Sequence, residues 1–339
     1  MLALNPGDNC QRTMHDRDRK PRNPSSAWRR LRAVDEIGVI VALLSVCGLL
    51  WVAAGDRFVQ PTNLLQVARQ ASSYGIMAVG MVLLLSMGEI DLSVGAILTL
   101  VNIVTAVALR EGMPTPLAVV VGLVTGSLCG LANGLLGVLL RIPTIIVTLG
   151  TMSVFRGFAL VLSKATPIGN FQKHNLLFDL GSGKLLGVPT SVWAMLAVGL
   201  VGHVILGHTA FGWRAQAIGS NAQAARFSGI PLDRYRIAAM TIMGLVASIA
   251  GVMELAFLQS GSPTTGHGYE LYVIASAIIG GTALTGGSGS VLGGILGALL
   301  IAVIRNGLVL LEFSAYWSTV VTGAVIIAAV AIGGLVKRK

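Results

Sequence analysis

The chain has 339 residues, of which 54% are hydrophobic and 11% charged, and it carries a formal net charge of +10. So apolar a composition excludes an ordinary water-soluble globule and points to a bilayer. A basic chain also invites a nucleic-acid reading, but the Lys and Arg flank apolar stretches instead of forming a stripe with interleaved aromatics, so no nucleic-acid partner is expected.

Residues 1–36 read as a basic N-terminal tail, rich in Pro, Asp, Arg and Ser, disordered and cytoplasmic. The tail contains Arg12, Arg17, Arg19, Lys20, Arg22, Arg29, Arg30 and Arg32, and no apolar run of signal-peptide length. Lys337, Arg338 and Lys339 close the chain, so both termini are expected in the cytoplasm.

Residues 37–339 form the expected transmembrane domain. A spanning helix needs about 20 mostly apolar residues, and turn signals divide the chain into about ten such segments: 37–54, 64–87, 92–109, 116–140, 143–162, 191–208, 236–258, 271–286, 290–309 and 316–336. The fold class predicted is all-α, a polytopic membrane helix bundle. With both ends inside, Arg141, Arg214, Arg226, Arg234 and Arg236 also fall on the cytoplasmic side, as the positive-inside rule requires. Gly122, Gly126, Gly130 and Gly134 recur every fourth residue, as do Gly289, Gly293 and Gly297, and these ladders read as close helix packing. The stretches Gly88–Asp91 and Gly280–Gly289 are candidate breaks inside helices. Two connections are long: 163–190, with Lys164, Lys173, His174, Asp179 and Lys184, is expected outside, and 209–235 is expected in the cytoplasm.

Within this apolar frame Glu89 and Asp91 stand out, because an Asp at mid-membrane costs on the order of 2.5–3.5 kcal/mol. Two readings stay open. The segment is either a helix break lining a transport path, where a carboxylate meets a polyol, or a short cytoplasmic turn in which Asp91 caps the next helix. Asn102, Asn133, Thr148, Thr151, Arg156, Glu254 and Gln259 are the other polar residues within apolar runs. Inter-helix hydrogen bonding is their commoner use, and Asn102 and Asn133 are the better candidates for a path because they lie well inside their spans.

Several chemistries are absent from the sequence. Gly181-Ser182-Gly183-Lys184 imitates a nucleotide-binding loop, but Phe178 and Leu185 stand where a Gly and a Ser or Thr are required. Cys10, Cys47 and Cys129 are widely separated, and His203 and His208 have neither zinc nor proton-relay spacing. Neither a disulfide, a metal, a cofactor nor a catalytic residue is expected, and the energy for pumping must come from another subunit or an ion gradient.

The cytoplasmic connection addresses that choice. Ser220 or Asn221 can cap a short helix, the Ala and Gln run continues it, and Gly229 ends it with Pro231 beyond. A small-faced helix displayed this way suits a docking groove in an ATPase.

The stretch Gly219–Ile230 resembles the coupling loop of the ribose, xylose, arabinose and autoinducer-2 type ABC permeases. Glu89-Ile90-Asp91-Leu92-Ser93-Val94-Gly95 resembles their acidic-Leu-Ser-Val-Gly signature. The segment Arg141–Thr144 through Thr148–Gly157 is similar to the one preceding their external loop, and Ile278–Gly287 with Gly289, Gly293 and Gly294 is similar to their late Gly-rich region. These matches run in order from about residue 60 to 335. Glu89 departs from the small residue often found there, which bears on substrate.

The resemblance implies a bacterial inner-membrane importer of two permease subunits, identical or paralogous, with ABC ATPase subunits and a periplasmic sugar-binding protein as partners and membrane lipid around the bundle. Asn221, Ala222, Ala225, Arg226, Ser228, Gly229 and Ile230 would carry ATPase coupling, and Glu89, Asp91, Ser93, Asn102 and Asn133 the translocation path of a monosaccharide or related polyol. The alternatives are an ABC permease for nucleosides or branched-chain amino acids, and an ion-coupled secondary transporter using Glu89, Asp91 and Glu254.

Overall fold

The computed structural model describes residues 24–171 and 176–314, with Tyr316, Trp317, Val320, Val321, Gly323, Ala324 and Ile327 beyond them, and side chains from Glu36 onward. The first 23 residues, Lys173, His174 and most of the expected last span at 316–336 lie outside the described residues.

In chain order the helices are α1 (Pro24–Ala54), α2 (Asp56–Val59), α3 (Pro61–Ser86), α4 (Val94–Arg110), α5 (Thr115–Leu140), α6 (Thr144–Ser163) and α7 (Leu176–Ser182). A two-stranded antiparallel hairpin, β1 (Lys184–Leu185) with β2 (Val188–Pro189), precedes α8 (Thr190–His208), α9 (Ala210–Ser220), α10 (Ala222–Phe227), α11 (Leu232–Leu258), α12 (Tyr269–Ile279) and α13 (Val291–Leu310). The boundary expected at residue 36 falls inside α1, whose apolar part begins at Glu36. Gly181 to Lys184, the nucleotide-loop lookalike, is the end of α7 and the start of β1.

Proline sets many of the helix starts. It is the first residue of α3, where its missing N–H is one the helix would leave unbonded and its fixed φ suits the first turn, and it is the extended residue just before α5, α6, α8 and α11.

Seven described helices are long and apolar enough to cross a membrane: α1 from Glu36, α3, α5, α6, α8, α11 and α13. Of the other expected spans, α4 has 17 residues, at the lower limit for crossing a bilayer, and α12 has 11, well short of it. The segment expected to run 271–286 stops as a helix at Ile279, because Gly281, Gly286 and Gly287 adopt positive φ and the chain turns before α13.

The arrangement is a buried centre within an apolar rim. α3 is the most enclosed long helix, and Tyr74, Met77, Met81, Leu84 and Leu85 on it are sealed from solvent. α1, α5, α6 and α8 expose apolar side chains such as Val52, Leu139, Val161 and Leu200, as helices facing lipid do. A long–short–long triplet occurs twice, α3-α4-α5 and α11-α12-α13, and the two interleave: α3 packs against α13 while α11 packs against α5. The α5 glycine ladder makes the second contact possible. A Cβ on Gly130 would come within 3.0 Å of Gly244 in α11 and overlap the Met240 carbonyl.

Both short helices begin beside breaks in the chain. Residues 87–93 separate α3 from α4, with Gly88 at φ 77°, and residues 259–268 separate α11 from α12, with Gly266 and Gly268 at φ 79°. The second break reaches the first turn of α4, where Gly95 and Gly266 touch backbone to backbone.

Candidate functional site

The 87–93 break opens on a backbone closure of α3, with Gly88 N–H on the Leu85 carbonyl at 2.8 Å and Glu89 N–H on that of Leu84 at 3.0 Å, and beyond it side chains hold the chain. Asp91 is fully buried, and its Oδ1 accepts from the Ser93 amide at 2.7 Å and the Ser93 hydroxyl at 2.6 Å. Asn133 of α5 donates to the Ser93 hydroxyl at 2.8 Å, and the Leu92 amide donates to Thr148 of α6 at 3.1 Å. Asp91, Ser93 and Asn133 therefore form one buried chain of polar groups at the start of α4. It leaves Asp91 Oδ2 and Asn133 Oδ1 buried without a partner among the described residues, each costing about 1–3 kcal/mol.

Asn102 lies farther along α4 and does not join this chain. It accepts from the Ser262 amide at 3.1 Å and donates to the Gly251 carbonyl at 3.4 Å, which binds α4 to α11 and to the 259–268 break. Thr151 bonds within α6. Arg156 reaches Glu270 of α12 at 3.5 Å, Glu254 accepts from Ser73 at 2.7 Å, and Gln259 is the left-handed residue that ends α11.

Glu89 sits at the rim of the break. Its Oε1 is 2.6 Å from Nε of Arg236 in α11, and its Oε2 accepts from the hydroxyl of Thr144, the first residue of α6. A charge-assisted contact of this kind contributes about 1.5–3 kcal/mol. A cavity of about 910 Å³ opens beside the pair, and Arg141, Arg226 and Asp233 share its wall. In the sequence Arg236 is legible only as a topological charge and Thr144 only as part of the segment after Arg141, because nothing local reveals a contact across 147 positions.

The 209–235 connection is two helices joined at Asn221. The Asn221 side chain accepts from the Ala224 amide at 2.9 Å and so caps α10. At the other end Ile230 N–H bonds to the Ala225 carbonyl at 3.1 Å and Gly229 N–H to Arg226 at 3.0 Å, with Gly229 at φ 80°. That is a Schellman closure, and it needs a residue tolerant of positive φ. Of the seven residues expected to carry coupling, only Ala225 is buried, and Ile230 is half-buried, while Asn221, Ala222, Arg226, Ser228 and Gly229 are exposed. Phe227 is 83% exposed and Trp213 70% exposed. Neither was singled out from sequence, where an aromatic in an apolar chain looks like core.

The connection also touches the 280–290 turn. Gly219 packs against the Ser86 carbonyl and within a Cβ distance of 2.6 Å of the Gly287 amide, and Gly287 N–H bonds to Ser86 O at 2.9 Å. One end of the bundle thus gathers the coupling helices, two breaks and the arginine-lined cavity.

The family described as branched-chain amino acid transport system / permease component matches residues 63–330. The chain is 37% identical over 295 residues to the ribose import permease protein RbsC of Escherichia coli strain K12, covering 86% of this chain and 92% of that one. It is 38% identical over 273 residues to RbsC of Bacillus subtilis strain 168, covering 80% and 85%. To the D-allose transport system permease protein AlsC of Escherichia coli it is 34% identical over 322 residues, covering 95% and 96%. No solved structure matches.

Proposed function

The chain belongs to the branched-chain amino acid transport system / permease component family, and from that premise we propose that it is the membrane-spanning permease subunit of an ATP-driven importer for a monosaccharide or related polyol. It is a multi-pass protein of the bacterial inner membrane. The sugar assignment draws on the relatives named for ribose and D-allose, similar over most of both chains. The family description names branched-chain amino acids, and that substrate class is the second reading.

The observation that carries the mechanism is α10: six residues, capped at both ends, ending in a Phe227 that is almost wholly exposed. A large aromatic left in solvent beside a rigid turn fits an anchor for a partner surface. The end of the bundle carrying α10 also holds Arg141, Arg214, Arg226, Arg234 and Arg236, which orients it toward the cytoplasm. The proposed partners are an ABC ATPase there, a periplasmic sugar-binding protein on the opposite face, and a second permease, identical or paralogous. The permease itself carries out no chemistry; closure of the ATPase moves α10, and the bundle opens alternately to each side.

The path is proposed to run along the start of α4, with Asp91, Ser93 and Asn133 offering acceptors to sugar hydroxyls and the cavity beside Glu89 as its inner mouth. Asn102 lies at the level of the 259–268 break, on the outer stretch of the same route.

The test is reconstitution in proteoliposomes with the ATPase subunit and binding protein. ATP-dependent uptake of a radiolabelled monosaccharide, competed by sugars and not by leucine or a purine nucleoside, is the expected result. Uptake without ATP that collapses with the proton gradient would overturn it.

A further inference from the structure

The coupling segment is joined to the two nearby breaks in two different ways. Its link to the 280–290 turn is backbone on backbone, Gly219 against Ser86 and Gly287, with no side chain that can swing away. Its link to the 87–93 break is a pair of side chains, Arg236 on Glu89, completed by the Thr144 hydroxyl. We propose that the Glu89–Arg236 pair is a latch that fastens the break before α4 to the α10–α11 junction, and that it opens when the ATPase moves α10. The proposal rests on the importer reading above and names the contact through which that reading acts.

Arg236 lies in the second turn of α11, just beyond the Ile230-Pro231 corner that ends α10. Movement of α10 therefore reaches Arg236 through the chain itself, beside the route it takes through α9. Glu89 is on the far side of the contact, its amide on the Leu84 carbonyl at 3.0 Å where α3 closes at Gly88, and from Ile90 to the start of α4 the chain leaves the helical hydrogen-bond pattern. Such a segment moves more easily than the helices it joins.

The surroundings make the contact releasable. The Glu89 side chain is 12% exposed and Arg236 33%, and the pair forms part of the wall of the 910 Å³ cavity. Charges that separate into such a space can be hydrated as they part, so the desolvation barrier that locks a fully buried ion pair is relieved. Arg141 and Arg226 stand on the same wall and give the released carboxylate other cations to face. The α9 side then moves with the 280–290 turn as one body, while the start of α4 is free to shift against it. This asymmetry opens a path along α4, where a uniform rigid shift would not.

The experiment uses the complete transporter, with its ATPase subunit and binding protein, in proteoliposomes, and records ATP hydrolysis with and without sugar-loaded binding protein alongside sugar uptake. Glu89→Gln and Arg236→Gln should each raise unstimulated hydrolysis several-fold and lower the sugar moved per ATP. The exchange Glu89→Arg with Arg236→Glu should bring both back toward wild type, which places the effect in the pair and not in either residue alone. As a second measurement, Glu89→Cys with Arg236→Cys joined by a reducible bifunctional thiol reagent should stop uptake until reductant is added. Neutralised variants that keep wild-type basal hydrolysis and coupling ratio, or a cross-linked pair that transports normally, would overturn the latch alone. A wild-type complex whose hydrolysis ignores the loaded binding protein would overturn the importer reading and the latch with it.

Discussion

Gly219 and Ser86 touch through their backbones, so closely that a Cβ on residue 219 would overlap the Ser86 carbonyl. Ser86 ends α3, the most enclosed long helix, and Gly219 lies one residue before the end of α9. A displacement of α9 is therefore imposed directly on the centre of the bundle.

Gly219→Val tests that contact. The added side chain has backbone on two sides and no flexible neighbour to displace, so the cost belongs to the range of about 1–3 kcal/mol for overpacking. The expected outcome is a lower unfolding temperature for the purified permease and loss of binding-protein-stimulated ATP hydrolysis. A variant of unchanged stability would show that α9 and α3 do not press together.

Phe227→Ala separates folding from assembly. With 83% of the residue exposed, truncation should leave permease stability within about 0.5 kcal/mol. If Phe227 anchors the ATPase it should weaken assembly by about 2 kcal/mol, roughly thirty-fold in affinity. Titration of detergent-solubilised permease with the ATPase subunit measures this, and equal affinities for wild type and variant would remove Phe227 from the interface.

How much of this was legible beforehand differs from one residue to the next. The Asn221 cap and the Gly229 stop were readable because capping is local: the side chain bonds three residues on, and the turn needs one particular backbone angle. The long spans were readable because lipid demands a continuous apolar run. Of the short helices, α4 falls within two residues of the segment expected at 92–109, and the breaks at Gly88–Asp91 and Gly280–Gly289 were readable as candidates from their glycines, whereas α12 stops at Ile279, inside the segment expected to run to 286, because hydropathy runs on through the turn made by Gly281 and Gly286. Glu89 was noticed for its charge, but Arg236 and Thr144 come from distant segments. Phe227 was hidden by its own chemistry, as an exposed aromatic and a core aromatic are the same letter.

Gly229→Asp and Gly229→Asn differ in what they disturb. Residue 229 sits at φ 80° with open space around its Cα, so neither side chain clashes, and both types tolerate the left-handed region at a cost within about 1–2 kcal/mol. Asn should keep the Schellman closure and most of the stimulated hydrolysis. Asp adds a negative charge to the face of α10 and should abolish stimulation while the permease still inserts. Equal activity of the two variants would mean that this face does not meet the ATPase.

Asp91 is not the helix cap expected, since the N-cap of α4 is Ser93 and Asp91 bonds to Ser93 from two residues earlier, so the choice left is between a transport role and a purely local one. Its Oδ1 is fully engaged by Ser93, while Oδ2 is buried without a partner among the described residues. Asp91→Asn preserves an oxygen for Ser93 and replaces the unpartnered acceptor with a donor. Folding should change by no more than about 1 kcal/mol, since the bonds from Ser93 survive. Asp91→Ala also strips the Ser93 amide and hydroxyl of their acceptor and should destabilise by about 1–3 kcal/mol. Transport separates the two roles. A hydrogen bond from a sugar hydroxyl to a carboxylate contributes about 1.5–3 kcal/mol, so Asp91→Asn should slow uptake by roughly ten- to a hundred-fold in a protein of near-normal stability. If Asp91→Asn carries sugar at the wild-type rate and only Asp91→Ala is impaired, the carboxylate serves the start of α4 and does not meet the substrate.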